Sequence, residues 1–287
     1  MAAFDLYLNM VGCCWHVSAP YAVKVDDNYL PFVCDPREPD CEYEFTIGRP
    51  ELPTPSIEQD RMRVWQMPDG IYIERPTVLS NHACICICVR NDDPLHMQGW
   101  IYPDRTGAVV SLNNLFDGGS IETMISAIGA INLHSSFIRW QGGAILFTAP
   151  SGTGKSTQAG LWEQYTDAEQ INGDRSVIRC VDDVWTAFGF PFAGSSGIFR
   201  NKAVPIRAIV VLRQAPENTI TRLRPGEAFR LLYSESAIQR WHETAHTVSV
   251  DRLVQLSRTV PVYMLCCTPD ERAVRLLQDT LSMEELQ

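Results

Sequence analysis

Residues 144–157 read A-I-L-F-T-A-P-S-G-T-G-K-S-T, and no other stretch limits the fold as strongly. The apolar run Ala144 to Thr148 has the length and composition of a buried strand. It enters Ala149-Pro150-Ser151-Gly152-Thr153-Gly154-Lys155-Ser156-Thr157, and a helical pattern continues to Tyr165. Strand, glycine loop and helix in that order predict a phosphate-binding loop. Gly152 and Gly154 let the backbone turn with no Cβ in the way, so successive N–H groups converge on phosphate oxygens. The N-terminus of the following helix adds partial positive charge at the same point. Lys155 has the reach for terminal phosphates, and the Ser156 hydroxyl suits a Mg²⁺ shell. The usual first glycine of such loops is Ala149 here. The competing reading is a chance glycine-rich turn before a helix, and the agreement of all three elements argues against it.

A nucleotide site also needs a carboxylate for the metal. Asp174, about twenty residues beyond the loop in Asn172-Gly173-Asp174-Arg175, is the first candidate. The bland alternative is an Asp in a turn. Asp182-Asp183 is expected to be a solvated hairpin turn. His134, ahead of the loop strand, is a further candidate. Arg200 and Lys202 follow the small-residue loop 191–197 and could meet a phosphate or an acidic substrate. His242, Glu243 and His246 have the wrong spacing for a zinc helix.

Residues 1 to about 125 predict a β-rich accessory domain. Ile71 to Glu74, Ala83 to Arg90 and Gly107 to Leu112 read as strands, Trp100 to Pro103 as a shorter one, and Met67-Pro68-Asp69-Gly70 as a turn. Cys84, Cys86 and Cys88 alternate with isoleucines, a strand pattern of small apolar thiols rather than metal spacing. From 126 onward a mixed α/β domain is expected. Ile121 to His134 has helical spacing. Ser136 to Trp140 and Ala144 to Thr148 flank a hairpin turn at Gln141-Gly142-Gly143. Ser176 to Cys180, Ile206 to Arg213, Thr219 to Leu223 and Val260 to Cys267 read as strands. Pro225 to Tyr233, with an extension open as far as His246, Val250 to Arg258 and Pro269 to Leu281 read as helices, the last capped by Thr268.

The net charge of −10 excludes a general nucleic-acid binder. No apolar run is long enough for a membrane span. The ten cysteines, with no basic, apolar leader, predict reduced thiols and a cytoplasmic location.

With these residues placed, the stretch from about 125 to 287 resembles the HPr kinase/phosphorylase and phosphoenolpyruvate-carboxykinase-like group of P-loop proteins. The resemblance is carried by Leu133-His134-Ser135, Ala149 to Thr157, Gly173-Asp174-Arg175 and Gly189 to Ser196. Pro205 to Arg213 and Val260 to Leu265 with Thr268-Pro269-Asp270 complete it. It implies a mixed-sheet P-loop domain of that type, and an ATP-dependent phosphotransferase using Mg²⁺. In that group an Asp at the position of Asp174 binds metal and acts on the acceptor hydroxyl, and a His at the position of His134 lies near the phosphates. Many members carry an Asp pair where this chain has Gly173-Asp174. The signature that engages HPr is missing. The implied acceptor is therefore a hydroxyl on a small metabolite, peptide or seryl residue, and the resemblance implies a homo-oligomer. The expected roles are catalytic for Asp174, His134 and Lys155, nucleotide binding for residues 149–157, metal binding for Ser156 and Asp174, and substrate binding for Arg200 beside a lid over 191–200. A nucleotide-binding regulatory module, or a phosphorylase running in reverse, stays open.

Overall fold

The computed structural model describes residues 3–59, 61–76 and 82–284. The chain divides into two compact units, Met1–Ile128 with Gln239–His246, and Gly129–Ile238 with Thr247–Gln287.

The first unit is built on β1 (Phe4–Met10), β2 (Cys13–Ala19), β3 (Cys41–Ile47), β4 (Ile57–Gln59), β5 (Met62–Gln66), β6 (Gly70–Pro76), β7 (Ala83–Arg90) and β8 (His96–Ile101). They form one sheet in the order β1-β2-β3-β8-β7-β6-β5-β4. The pairs β2–β3 and β3–β8 are parallel and the others antiparallel. Helices α1 (Leu112–Gly118) and α2 (Ile121–Ala127) follow. Phe116 of α1 stands edge-on to Trp15 and Tyr43, at 6.3 and 5.5 Å between ring centres. The cysteines of β7 alternate as expected, and Ile85 and Ile87 between them are equally buried, so both faces of the strand are covered. The strand expected over Gly107 to Leu112 is not formed. Pro103–Ala108 is a 3₁₀ helix, with Pro at its start, and Leu112 already begins α1.

The second unit runs β9 (Ile131–Trp140), β10 (Gly143–Thr148), α3 (Lys155–Tyr165), β11 (Glu169–Asn172), β12 (Arg175–Val181), β13 (Val184–Phe188) and β14 (Ala203–Gln214). It continues with β15 (Thr219–Arg222), α4 (Pro225–Glu235), α5 (Glu243–Thr259, of which the part from Thr247 belongs to this unit), β16 (Val262–Cys267) and α6 (Glu271–Glu284). Strand order is β10-β9-β12-β13-β14-β16-β15, with β11 on β9, and β10 also pairs with β14, so the pairing closes on itself. Strands β10, β14 and β16 are parallel neighbours. The fold is therefore mixed α/β with mixed sheets.

Alternation along these parallel strands sorts the core into two layers. Ala144 and Leu146, with Ile209, Val211 and Val262, pack on Ala228 and Leu232 of α4 and Leu253 and Leu256 of α5. Ile145 and Phe147, with Ala208, Val210, Tyr263 and Leu265, pack on Ala159 and Trp162 of α3 and Val274, Leu277 and Leu281 of α6. Each fully buried large apolar side chain contributes roughly 1.5–3 kcal/mol. A parallel strand covered on both faces reads as a continuous apolar run, which is how 144–148 and 206–213 read.

The two expected hairpins form. Gln141 and Gly142 (φ 46° and 80°) join β9 to β10, and Asp182 and Asp183 (φ 47° and 63°) join β12 to β13. Two left-handed central residues are what a tight hairpin requires. Three expectations are corrected. The helix foreseen over Ile121 to His134 stops at Ala127, because Gly129 (φ 70°) turns the chain, and His134 lies on β9. The helix from Pro225 ends at Glu235, and α5 starts at Glu243, well before Val250. At the last helix Asp270 replaces Thr268 as the cap: its Oδ1 accepts from Ala273 N at 3.2 Å, and α6 starts at Glu271.

No helix among the described residues is long and apolar enough to cross a membrane.

Candidate functional site

Strand β10 ends at Thr148 beside Val211 of β14, which in turn pairs with Met264 of β16. The carboxyl ends of three parallel strands thus lie together, and a ligand in an α/β fold commonly sits outside such strand ends. Between β10 and α3 the chain turns through Gly152 (φ 80°) and Gly154 (φ 113°), and a Cβ added at either would meet nothing within 4 Å. The glycines therefore serve the backbone path and leave open space above it. Lys155 opens α3 and is 7% exposed. Its Nζ donates to Ala149 O at 2.8 Å and lies 3.4 Å from Pro150 O, so the ammonium folds back over the loop. Burial pushes its pKa down, against the pull of Glu235 and Asp174. Ser156 and Thr157 are exposed on the first turn of α3.

The register of β9 brings the other candidates to this loop. His134 pairs with Arg175 on β12, and Ser135 pairs with Thr148 on β10. Thr148 Oγ1 donates to His134 O, and Ser135 N donates to Asp174 O. As a result His134 Nε2 stands 3.2 Å from Asp174 Oδ1, and Nδ1 stands 3.7 Å from Glu235 Oε2. Arg175 Nε is 3.2 Å from Asp174 Oδ2. Burial first, then the Lys155 charge, push the His134 pKa below its usual 6.5, while Asp174 pulls the other way. His134 is thus held neutral at pH 7.

Asn172 fixes the turn that carries Asp174. It is fully buried, and its Oδ1 accepts from Asp174 N (2.9 Å) and Arg175 N (2.8 Å). Its Nδ2 donates to Phe190 O (2.7 Å) and Phe192 O (3.1 Å). One amide therefore ties the Gly173-Asp174 turn to the loop after β13. That loop also closes on the turn directly: a Cβ on Gly194 would come 2.8 Å from Asp174 Cγ.

His134, Lys155 and Asp174 therefore gather around the glycine loop. The guanidinium of Arg200 closes instead on Glu169, with Nη1 to Oε1 at 2.9 Å, beside Lys202 (2.7 Å) and Arg139 (3.0 Å). Lys202 and the two guanidinium groups hold the Glu169 carboxyl below its usual range. Sequence reasoning missed Glu235 and the bracing by Asn172. Glu235 ends α4 with no motif around it, and the Leu133–Ser236 bridge with the Ala237 N to Asn132 O hydrogen bond sets it beside His134. Asn172 read as part of a turn, whereas its amide is a buried strut.

A family model described as SynChlorMet cassette protein ScmC matches residues 104–272, more than half of the chain. The chain belongs to the ScmC family. That description names no chemistry. Among solved structures, the HPr(Ser) kinase/phosphatase from Coxiella burnetii is similar at 11% identity and a TM-score of 0.32, over 54% of this chain and 89% of that one. At that score the likeness assigns this ScmC-family chain neither a fold nor an activity. No curated protein matches it.

Proposed function

We propose that this ScmC-family protein is an ATP-dependent phosphotransferase that moves a phosphoryl group to a hydroxyl of a small metabolite, peptide or seryl residue, with Mg²⁺. One observation carries the reading: Lys155 lies buried and folded over a glycine loop, and His134, from the strand paired with β10, stands 3.2 Å from Asp174 and 3.7 Å from Glu235.

The open glycine cradle and the buried ammonium fit a polyphosphate. Loop N–H groups from 151–155 donate to its oxygens, and Lys155 exchanges two carbonyl partners for a terminal phosphate. Ser156 and Asp174 supply an exposed hydroxyl and a carboxylate suited to a hard divalent cation. When bound, that cation would neutralise charge on the transferring group. Asp174 orients the acceptor hydroxyl and takes its proton, and neutral His134 holds the carboxylate in place. Arg200 is proposed to meet the acceptor from the 191–200 segment, on leaving Glu169. The proposed organisation is a phosphotransferase domain from 126 onward with an accessory domain before it, working in the cytoplasm.

The test is label transfer from γ-labelled ATP with Mg²⁺ into fractionated peptides and metabolites, comparing the parent with Lys155→Ala and Asp174→Asn. Label in one fraction, lost in both variants, is the expected result. Lys155→Ala as active as the parent would sink the proposal. A second reading, a regulatory module that binds ATP without transfer, is favoured by Gly173, which leaves Asp174 without a carboxylate neighbour in sequence. Tight ATP binding with no labelled product selects it.

A further inference from the structure

Beside the glycine loop lies a cavity of about 590 Å³, lined among others by Gly152, Gly154, Gln158, Gln214, Cys267 and Thr268. Its volume is that of a small-molecule pocket. Two of its polar side chains are already committed. Gln214 Nε2 donates to Thr153 O at 3.3 Å, and the Thr268 hydroxyl stands between Asn218 Oδ1 (3.2 Å) and Asp270 Oδ2 (2.9 Å).

Gln158 differs. It sits on α3 two residues beyond Ser156, is 2% exposed, lines the cavity, and its Nε2 has no hydrogen-bond partner. A buried amide N–H without an acceptor is a standing cost to the fold. A ligand that presents an acceptor in this cavity would remove it. The cavity also shares Gly152, Thr153 and Gly154 with the loop, so a group attached to loop-bound phosphates enters it directly.

We infer that this cavity is the nucleoside end of the site, and that Gln158 Nε2 donates to a base or ribose acceptor, so Gln158 sets affinity for nucleotide over bare polyphosphate. The inference rests on the proposed phosphate-binding role of the loop. The apolar wall of Leu212 and the Cys267 thiol suit the faces of a heterocycle.

The experiment is calorimetric titration of the full chain, with Mg²⁺, against ATP and against inorganic triphosphate. Parent, Gln158→Leu and Gln158→Met are compared, both variants removing the donor while filling the site. In the parent, ATP should bind more tightly than triphosphate. Both variants should weaken ATP about tenfold and leave triphosphate within about twofold. Retained triphosphate binding shows that the loop is still folded. ATP and triphosphate bound equally by the parent, or both weakened alike in the variants, would overturn the nucleoside assignment and leave the phosphate site standing. A parent that binds neither probe would overturn the phosphate site and this assignment with it.

Discussion

Ser196 fills the space that a side chain on residue 173 would need. A Cβ built on Gly173 overlaps both Cβ and Oγ of Ser196, whose hydroxyl donates to Ala193 O at 2.6 Å. The Asp pair implied by the resemblance therefore has no room here while loop 193–197 packs on the turn. The same loop bears on Asp174 through Gly194.

Gly173→Asp should consequently destabilise the protein by about 1–3 kcal/mol, the scale of overpacking a closed site. Adding Ser196→Gly to it should restore much of that loss, because it removes the atoms in conflict. Urea midpoints of the two single variants and the double variant measure the coupling. Additive losses would show that the loop is not seated on the turn.

Asn172→Ala should cost about 3 kcal/mol, since four backbone groups lose their partner in a fully buried place. Asn172→Asp keeps the acceptor side and sets a carboxylate against the carbonyls of Phe190 and Phe192, so it should be no better. Nucleotide binding, carried by the loop after β10, should fall less than transfer, which depends on where Asp174 points. Equal losses in Kd and in kcat would contradict this division of labour.

What the sequence disclosed follows from how local each signal was. The β10 strand, the glycine loop and α3 are contiguous, so one run of letters carried all three. The tight turns at Gln141-Gly142 and Asp182-Asp183 were equally local. His134 was misplaced on a helix because β9 is covered on both faces, so its apolar residues satisfy helical and strand spacing alike. The burial of the Gln158 amide, the place of the Glu235 carboxylate and the Ser196 conflict arise from packing between distant segments. A single sequence carries no trace of them.

Trp162 anchors α3 behind the loop. It is fully buried, edge-on to Trp140 at 5.1 Å between ring centres, and 6.3 Å from Phe147. Trp162→Ala should cost about 3–5 kcal/mol by opening a cavity. Its indole Nε1 is buried with no acceptor. Trp162→Phe therefore removes an unsatisfied donor along with volume, and should cost less than about 1.5 kcal/mol. Chemical denaturation of both variants checks the order, and equal losses would show that the indole N–H is not a burden.

His134 offers the test with the clearest signs. Burial and Lys155 lower its pKa from 6.5, and Asp174 raises it. Its midpoint, followed by imidazole NMR, should lie below 6.5 in the parent. Asp174→Asn removes the raising charge and should move the midpoint further down. Lys155→Met removes a lowering charge and should move it up. A depressed folded-state pKa means that the unfolded chain binds the proton more readily. The contribution of His134 to stability is therefore full above about pH 6.5 and is lost as pH falls through the lower, folded-state value. His134→Gln, which cannot titrate, should flatten the stability profile in that acidic window. A midpoint above 6.5 that does not move when Lys155 is replaced would separate the imidazole from the loop ammonium, and His134 would no longer belong to the site.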